Sequence, residues 1–324
     1  MSSFKEVRIM QDNIKDFVDR SDWIRFFGVI ELLIGFLALG IIFLFFIVNF
    51  LLTKGTLQPK LQIFILFYNL IFFGLSSAIF ITCGIGSLMI KKWARAVMLV
   101  LFCLWLIIGI LAYVSLLMLQ GKYFLSGGVS PETFYITTMI ILLIIYIVIP
   151  AIFVIFYTRR NVRKTFEYYN PGLSWTDKTP LPVLGLSLFF IFVSLGYISN
   201  SFLKILGFFG MLLTGPVALY ASLCFAVIYI VLAFGLYKLK MAAWVLSLIM
   251  HIFWIASGIV SFLKIDMNEL YNYLDIPQDI IGDLGSFQQN IWFSSIITSV
   301  LIVIYQLYLL KFFKSKKGVN YERG

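Results

Sequence analysis

Long apolar stretches alternate with short polar links along this chain, at 24–52, 62–90, 93–118, 134–158, 181–199, 216–237, 241–262 and 290–313. Within each stretch the hydrophobic residues run continuously instead of alternating with polar ones. That pattern predicts helices embedded in lipid and argues against the strands of a transmembrane barrel. A helix needs about 20 apolar residues to cross a hydrocarbon core of about 30 Å. The stretch 181–199 is at the short end, whereas 24–52 and 62–90 are long enough to protrude or tilt. With 61% hydrophobic and 12% charged residues, the composition agrees. Soluble domains carry about 25% charged residues.

Charge sets the expected orientation. When the links are assigned alternately to two sides, one side collects the basic residues around Lys5–Arg25, Lys91–Arg95, Arg159–Lys178, Lys238–Lys240 and Lys311–Arg323. The other side holds only Lys54, Lys60, Lys122, Lys204 and Lys264. The positive-inside rule makes the rich side, with both termini, cytoplasmic. The link 263–289, which carries Asp266, Glu269, Asp275, Asp279 and Asp283, then faces outward. The net charge of +10 is explained by topology and anionic headgroups and calls for no nucleic acid. The first 22 residues mix acids and bases without a short apolar core, so the first span reads as a retained anchor. Cys83, Cys103 and Cys224 lie within apolar spans without CxxC spacing, which favours packing thiols over disulfides or a metal site.

A displacement of 149 residues brings parts of the two halves into register. Gly86 falls on Gly235, Lys91 on Lys240, Ala94 on Ala243, Trp105 on Trp254 and Gly109 on Gly258. The Trp and Gly matches weigh most, because apolar matches are cheap in such a chain. An internal duplication into four-span units follows. An even number of spans makes the copies parallel, related by an axis along the membrane normal.

The linker Val162-Arg163-Lys164-Thr165-Phe166, followed by Ser174-Trp175-Thr176-Asp177-Lys178 and Pro180-Leu181-Pro182-Val183, resembles a linker-to-helix pattern of bacterial multi-span membrane proteins of unassigned function. The turn from Gly86 through Lys91-Lys92-Trp93-Ala94-Arg95-Ala96 is similar to that of small four-helix bacterial membrane proteins. These resemblances imply a bacterial inner-membrane setting and no particular activity. Independently, Lys91, Lys92, Trp93 and Lys240 fit the role of interface anchors. The linker's first part is expected to prolong the fourth helix until Pro171 and Gly172 stop it. Residues 1–22 read as an amphipathic helix packed on the protein's own cytoplasmic ends. The apolar segment 202–213 is too short to span and is expected to lengthen the next helix or lie in the outer interface.

Candidate chemistry is sparse. Glu31 is the only acid within a span and His251 the only histidine. On the helical rise, Glu31 lies about 9 Å beyond Arg25 and His251 about 16 Å beyond Lys240. A Glu31–His251 pair between the units would suit a proton relay or polar ligand; two residues, each bonded within its own neighbourhood, is the plainer reading. Trp105 with Gly109, and Trp254 with Gly258, place a ring and a gap on one helix face, favouring helix packing over a stacking platform. Gly74 and Ala78 form a small-xxx-small motif with the same meaning. Pro150 is expected to kink the fourth span. Gly84-Ile85-Gly86 lacks the rest of a nucleotide fingerprint, and no catalytic triad, HExxH or paired intramembrane carboxylates occur.

The expected fold is an all-α integral membrane helical bundle, with eight transmembrane helices as two tandem parallel four-helix units. The divisions are an amphipathic segment 1–22, a first unit 23–158, a linker 159–180, a second unit 181–313 and a basic tail 314–324. No cofactor or metal is expected. The partners expected are the lipid bilayer and other membrane proteins or further copies of the chain, without nucleic acid. The expected role is non-enzymatic packing or scaffolding, as an accessory protein. The alternative is a transporter of a small or lipophilic molecule with a cleft between the units. A cavity lined by Asn69, Thr82, Glu31 or His251 would favour transport, and a dry, filled seam would favour scaffolding. Binding of an apolar lipid or quinone leaves little trace in sequence and stays open.

Overall fold

The computed structural model describes residues 17–52, 59–118, 131–265, 273 and 299–314. It begins with three long helices: α1 (Ser21–Leu52), α2 (Pro59–Leu88) and α3 (Lys92–Met118). A fourth rod follows, in which α4 (Pro131–Leu143), a π-helical turn (Ile144–Val148) and α5 (Ile149–Thr158) run on continuously. The short α6 (Arg160–Tyr169) and a 3₁₀ turn (Trp175–Lys178) lead to α7 (Leu181–Leu203). Two strands, β1 (Ile205–Phe208) and β2 (Met211–Thr214), precede α8 (Gly215–Tyr237) and α9 (Met241–Lys264). A last helix, α10, occupies 299–314.

Seven of these helical rods are long and apolar enough to cross a membrane, which makes the chain a multi-pass membrane helical bundle. The eighth expected span, 290–313, is helical from 299 onward; its earlier part lies outside the described residues. So do nearly all of the amphipathic segment 1–22, most of the acidic link 263–289, and the basic tail 314–324 beyond its first residue. Large apolar side chains point outward all along the rods, among them Leu37, Phe43, Val231 and Leu263. In water such a surface would drive aggregation, whereas in lipid it is the solvated face.

Small residues set how closely the helices approach. A Cβ on Gly28 or Gly84 of the α1–α2 pair would come within 3.1 Å or less of the opposite helix, and one on Gly35 within 2.7 Å of Ile81. Among the described residues, Gly74 and Ala78 bring no helix that close. A Cβ on Gly74 would meet only Ile42, at 3.8 Å, and Ala78 is exposed. The α7–α8 pair is instead tied by serines that reach across. Ser187 donates to the Ala233 carbonyl at 2.7 Å and Ser194 to the Ala226 carbonyl at 3.0 Å. Buried apolar side chains gather in two clusters. One draws on α1, α2, α3, α5 and α6, and the other on α7 to α10.

The turns α2–α3 and α8–α9 are built alike. Ile90 and Leu239 both take left-handed backbone, with φ of 52° and 53°. Lys91 N–H bonds the Gly86 carbonyl at 2.8 Å, as Lys240 N–H bonds that of Gly235 at 3.0 Å. A Cβ on Gly86 would lie 2.7 Å from Ala94 Cβ, and one on Gly235 2.5 Å from Ala243 Cβ. The left-handed residue reverses the chain while the glycine lets the returning helix come close.

Three features depart from expectation. The fourth helix does not continue into the linker. Arg159 is extended (ψ 135°), and α6 turns back so that Val162, Thr165 and Phe166 are buried against the first cluster. A straight extension would leave that apolar stripe in water. At the junction with α1, Arg20 N–H bonds Thr165 Oγ1 at 3.1 Å and Tyr169 donates to Asp19 at 2.9 Å. The bond to that carboxylate raises the Tyr169 phenol above its ordinary pKa. The bundle is also not purely helical, because 205–214 forms an antiparallel hairpin. Its two turn residues, Phe209 and Gly210, both have positive φ, as a two-residue hairpin turn requires. Their amides are taken by Ser257 and Ser261 of α9, each at 3.1 Å. Finally, the rod around Pro150 carries a π-helical turn, with Ile149 N–H bonded to the Ile144 carbonyl. Proline offers no N–H to the carbonyl four residues back, that of Tyr146, and the ladder loosens there.

Gly86→Ala and Gly235→Ala are each expected to lower stability by about 1–3 kcal/mol through overpacking. Gly196→Ala, where a Cβ meets nothing within 4 Å, should be neutral or mildly stabilising. Thermal unfolding of the detergent-solubilised variants reads the difference, and equal midpoints for all three would refute the tight-turn account.

Candidate functional site

Two buried polar ties and an apolar cavity stand out among the described residues. The first tie centres on Glu31 of α1, which is fully buried. Ser87 at the end of α2 donates to Glu31 Oε2 at 2.8 Å, and the Tyr157 hydroxyl of α5 donates to Oε1. The two hydroxyls lie 3.2 Å apart. Three helices thus converge on one carboxyl group. Its neighbours explain its place in the membrane, because a buried acid is tolerated only where hydrogen bonds replace its water. Arg95 of α3 joins a fourth element by donating from Nε to the Tyr157 carbonyl at 3.0 Å.

The second tie lies among α9 and α10. His251 Nδ1 is 3.0 Å from the Ser247 carbonyl and 3.0 Å from Gln306 Nε2. Gln306 also reaches Ser247 Oγ at 3.2 Å, and Trp244 Nε1 donates to the Gln306 carbonyl at 2.8 Å. The imidazole stacks on Phe190, with ring centroids 5.3 Å apart. Glu31 and His251 therefore each have partners of their own, and no hydrogen bond joins them. Arg95 and Trp244 are 149 positions apart, as are Tyr157 and Gln306, so one side-chain-to-carbonyl contact recurs in both halves with different donors.

The Trp–Gly faces behave differently from each other. A Cβ on Gly109 would fall 2.9 Å from Tyr146 Cβ, beside the carbonyl that Pro150 leaves without its helical partner. Trp105 packs next to it, among Phe80, Phe102 and Tyr146. Around Gly258 a Cβ would meet nothing within 4 Å among the described residues. Trp254 is nevertheless enclosed, in a ring cluster with Tyr197, Phe208, Phe225 and Phe253. The hairpin supplies Phe208 to this cluster. Of the interface anchors, Trp93 covers Gly86, and its ring atoms would lie 2.9 Å from a Cβ there. Lys91 and Lys92 stand half-exposed and Lys240 exposed, at the basic ends.

The cavity lies between α3, α7 and α10. Its volume is about 420 Å³. Leu99, Val100, Cys103, Leu104 and Ile107 line it from α3, with Gly185 and Phe189 from α7 and Ile302 and Tyr305 from α10. Its one well-placed polar group, the Tyr305 hydroxyl, is already committed to the Pro182 carbonyl at 2.8 Å. None of Asn69, Thr82, Glu31 and His251 lines it. Toward the other end of α7, the rings of Phe67 on α2 and Phe202 stack at 4.3 Å. Among the described residues, no three His, Cys, Asp or Glu side chains could hold a metal.

Residue pairing in these sites was hidden from sequence reasoning, but depth was not. Glu31 lies six residues from Arg25, Ser87 four from Lys91 and Tyr157 two from Arg159, so all three sit near the basic ends of their spans. Matching polar residues by distance from the nearest basic cluster would have brought them together.

Glu31→Leu is expected to cost about 1–3 kcal/mol, because it takes the acceptor away from two buried hydroxyls. Glu31→Gln should cost less, since its amide oxygen still accepts. Thermal unfolding in detergent compares them, and a Leu variant as stable as the parent would show that the tie contributes nothing. Neither a protein-family model, nor a curated protein, nor a solved structure matches this chain.

Proposed function

We propose that the chain is a non-enzymatic membrane protein of two four-helix units that holds a lipophilic molecule in the cleft between them. The single observation that carries this reading is the apolar cavity of about 420 Å³ between α3, α7 and α10. Ligand pockets span about 300–1,000 Å³ and are mostly apolar, with a few polar groups. Glycine at position 185 keeps this one open: a Cβ there would stand 3.7 Å from both Val100 and the Tyr305 hydroxyl, at the cavity wall.

The two-unit reading is supported by the matching turns at Gly86–Ala94 and Gly235–Ala243, and by the Arg95–Tyr157 and Trp244–Gln306 contacts. All recur at the displacement of 149 residues seen in the sequence. The excess of basic residues on one side supports a cytoplasmic location for those ends, with both termini. The resemblance noted above suggests a bacterial inner membrane.

Among the described residues, an ion or polar-solute route finds no support at this cavity, because Cys103 and Tyr305 are the polar side chains in its lining. A scaffold remains the second reading, favoured by the stacked Phe67–Phe202 contact between α2 and α7.

Gly185→Leu should fill the cleft, while Gly196→Leu changes an exposed position further along the same helix. Native mass spectrometry of protein purified in mild detergent is expected to show co-purifying lipophile lost from the first variant, by about tenfold or more, and retained by the second. Equal occupancy in both would favour the scaffold.

A further inference from the structure

At one end the cleft is bordered by a second cavity. Leu181, at the start of α7, lines both the apolar cavity and a second cavity of about 300 Å³ at the basic end of the bundle. That second cavity is walled by Lys92 and Arg95 of α3, Arg163 and Glu167 of α6, and Asp177 of the 3₁₀ turn. Leu99, in the apolar wall, lies one helical turn beyond Arg95 on α3.

The charges in this cavity are unevenly committed. Glu167 pairs with Arg163 at 2.8 Å, and Asp177 accepts the Ser174 amide at 2.9 Å to close the turn that carries it. Arg95 has neither kind of carboxylate partner among the described residues. Its Nε is fixed by the Tyr157 carbonyl, and among the described residues the two terminal nitrogens of the guanidinium take no hydrogen bond. Among the same residues Lys92 makes long contacts, 3.4 Å, to the carbonyls of Pro171 and Gly172. A half-buried guanidinium held rigid at one nitrogen, with a second cation one turn away, suits a phosphate-class oxyanion.

Resting on the cleft reading above, we infer that the ligand is an anionic phospholipid-type amphiphile. Its phosphate-class headgroup sits between Arg95 and Lys92, and its chain passes Leu181 into the space beside Gly185. The shared wall favours a lipid over free phosphate: a soluble anion has no use for the apolar cavity, and an uncharged lipophile has none for the two cations. The fold itself explains the site. The extended residue Arg159 turns α6 back over the basic end, and the capped 3₁₀ turn brings Asp177 and Leu181 to the rim.

Nanodiscs containing equal parts of dioleoyl phosphatidylglycerol and dioleoyl phosphatidylcholine test this, with bound lipid counted by native mass spectrometry. The parent protein is expected to retain the glycerol lipid preferentially. Lys92→Gln and Arg95→Gln should each reduce that preference roughly fivefold, the worth of one cation at a membrane surface. Gly185→Leu should release both lipids alike. Unchanged preference in both charge variants would overturn the headgroup site while leaving the cleft reading intact. Undiminished binding of both lipids in Gly185→Leu would overturn the cleft reading itself. Competition by millimolar inorganic phosphate as effective as that by the lipid would assign the pocket to a free anion and refute the inference. Lys92 is half-exposed and outside the Glu31 tie, so its variant keeps the test decisive if Arg95→Gln fails to fold.

Discussion

A hydrocarbon core supplies no water, so each polar group carried into it must find a partner within the protein. The arrangement of this chain depends on that constraint. Glu31 would be prohibitive on an isolated span; with Ser87 and Tyr157 around it, it becomes the point where α1, α2 and α5 meet. Ser187 and Ser194 work in the same way between α7 and α8, giving their hydroxyls to carbonyls across the interface. Lipid tails are as apolar as leucine, so oiliness alone cannot select one helix pairing over another. Close approach at glycine and these few hydrogen bonds make the selection.

The two halves solve the same problem with different residues. Arg95 in the first half donates to the Tyr157 carbonyl of α5, and Trp244 in the second to the Gln306 carbonyl of α10. Where the first half gathers around a carboxyl group, the second uses a histidine and a glutamine, and it leaves Gln306 Oε1 and Trp254 Nε1 buried without a partner among the described residues. The backbone geometry of the inner turn, with a left-handed residue between glycine and the returning helix, is what the halves hold most closely in common.

The spans were legible in the sequence because apolar length is a direct consequence of bilayer thickness. The α2–α3 and α8–α9 turns were legible too, since glycine, lysine and alanine recur there at fixed offsets. Contacts between distant spans were not. Nothing in the residues near Glu31 points to Tyr157, and an apolar run such as 202–213 reads equally as helix or strand. The hairpin there departs from the usual preference, because Phe209 occupies a turn position where asparagine or aspartate is customary. Its amide is held by Ser257, a contact no local pattern announces. The fold-back of α6 was obscured for a similar reason. No proline or glycine interrupts the chain at Arg159, and the break becomes favourable only once Val162 and Phe166 have a surface to cover.

The stacked pair Phe67 and Phe202 has a mechanical consequence. It joins α2 to α7 near one membrane face, while the gap beside Gly185 lies toward the other. Two parallel rings in contact resist separation of the helix ends that carry them, so that end of the α2–α7 pair is pinned by ring packing alone, without a polar group.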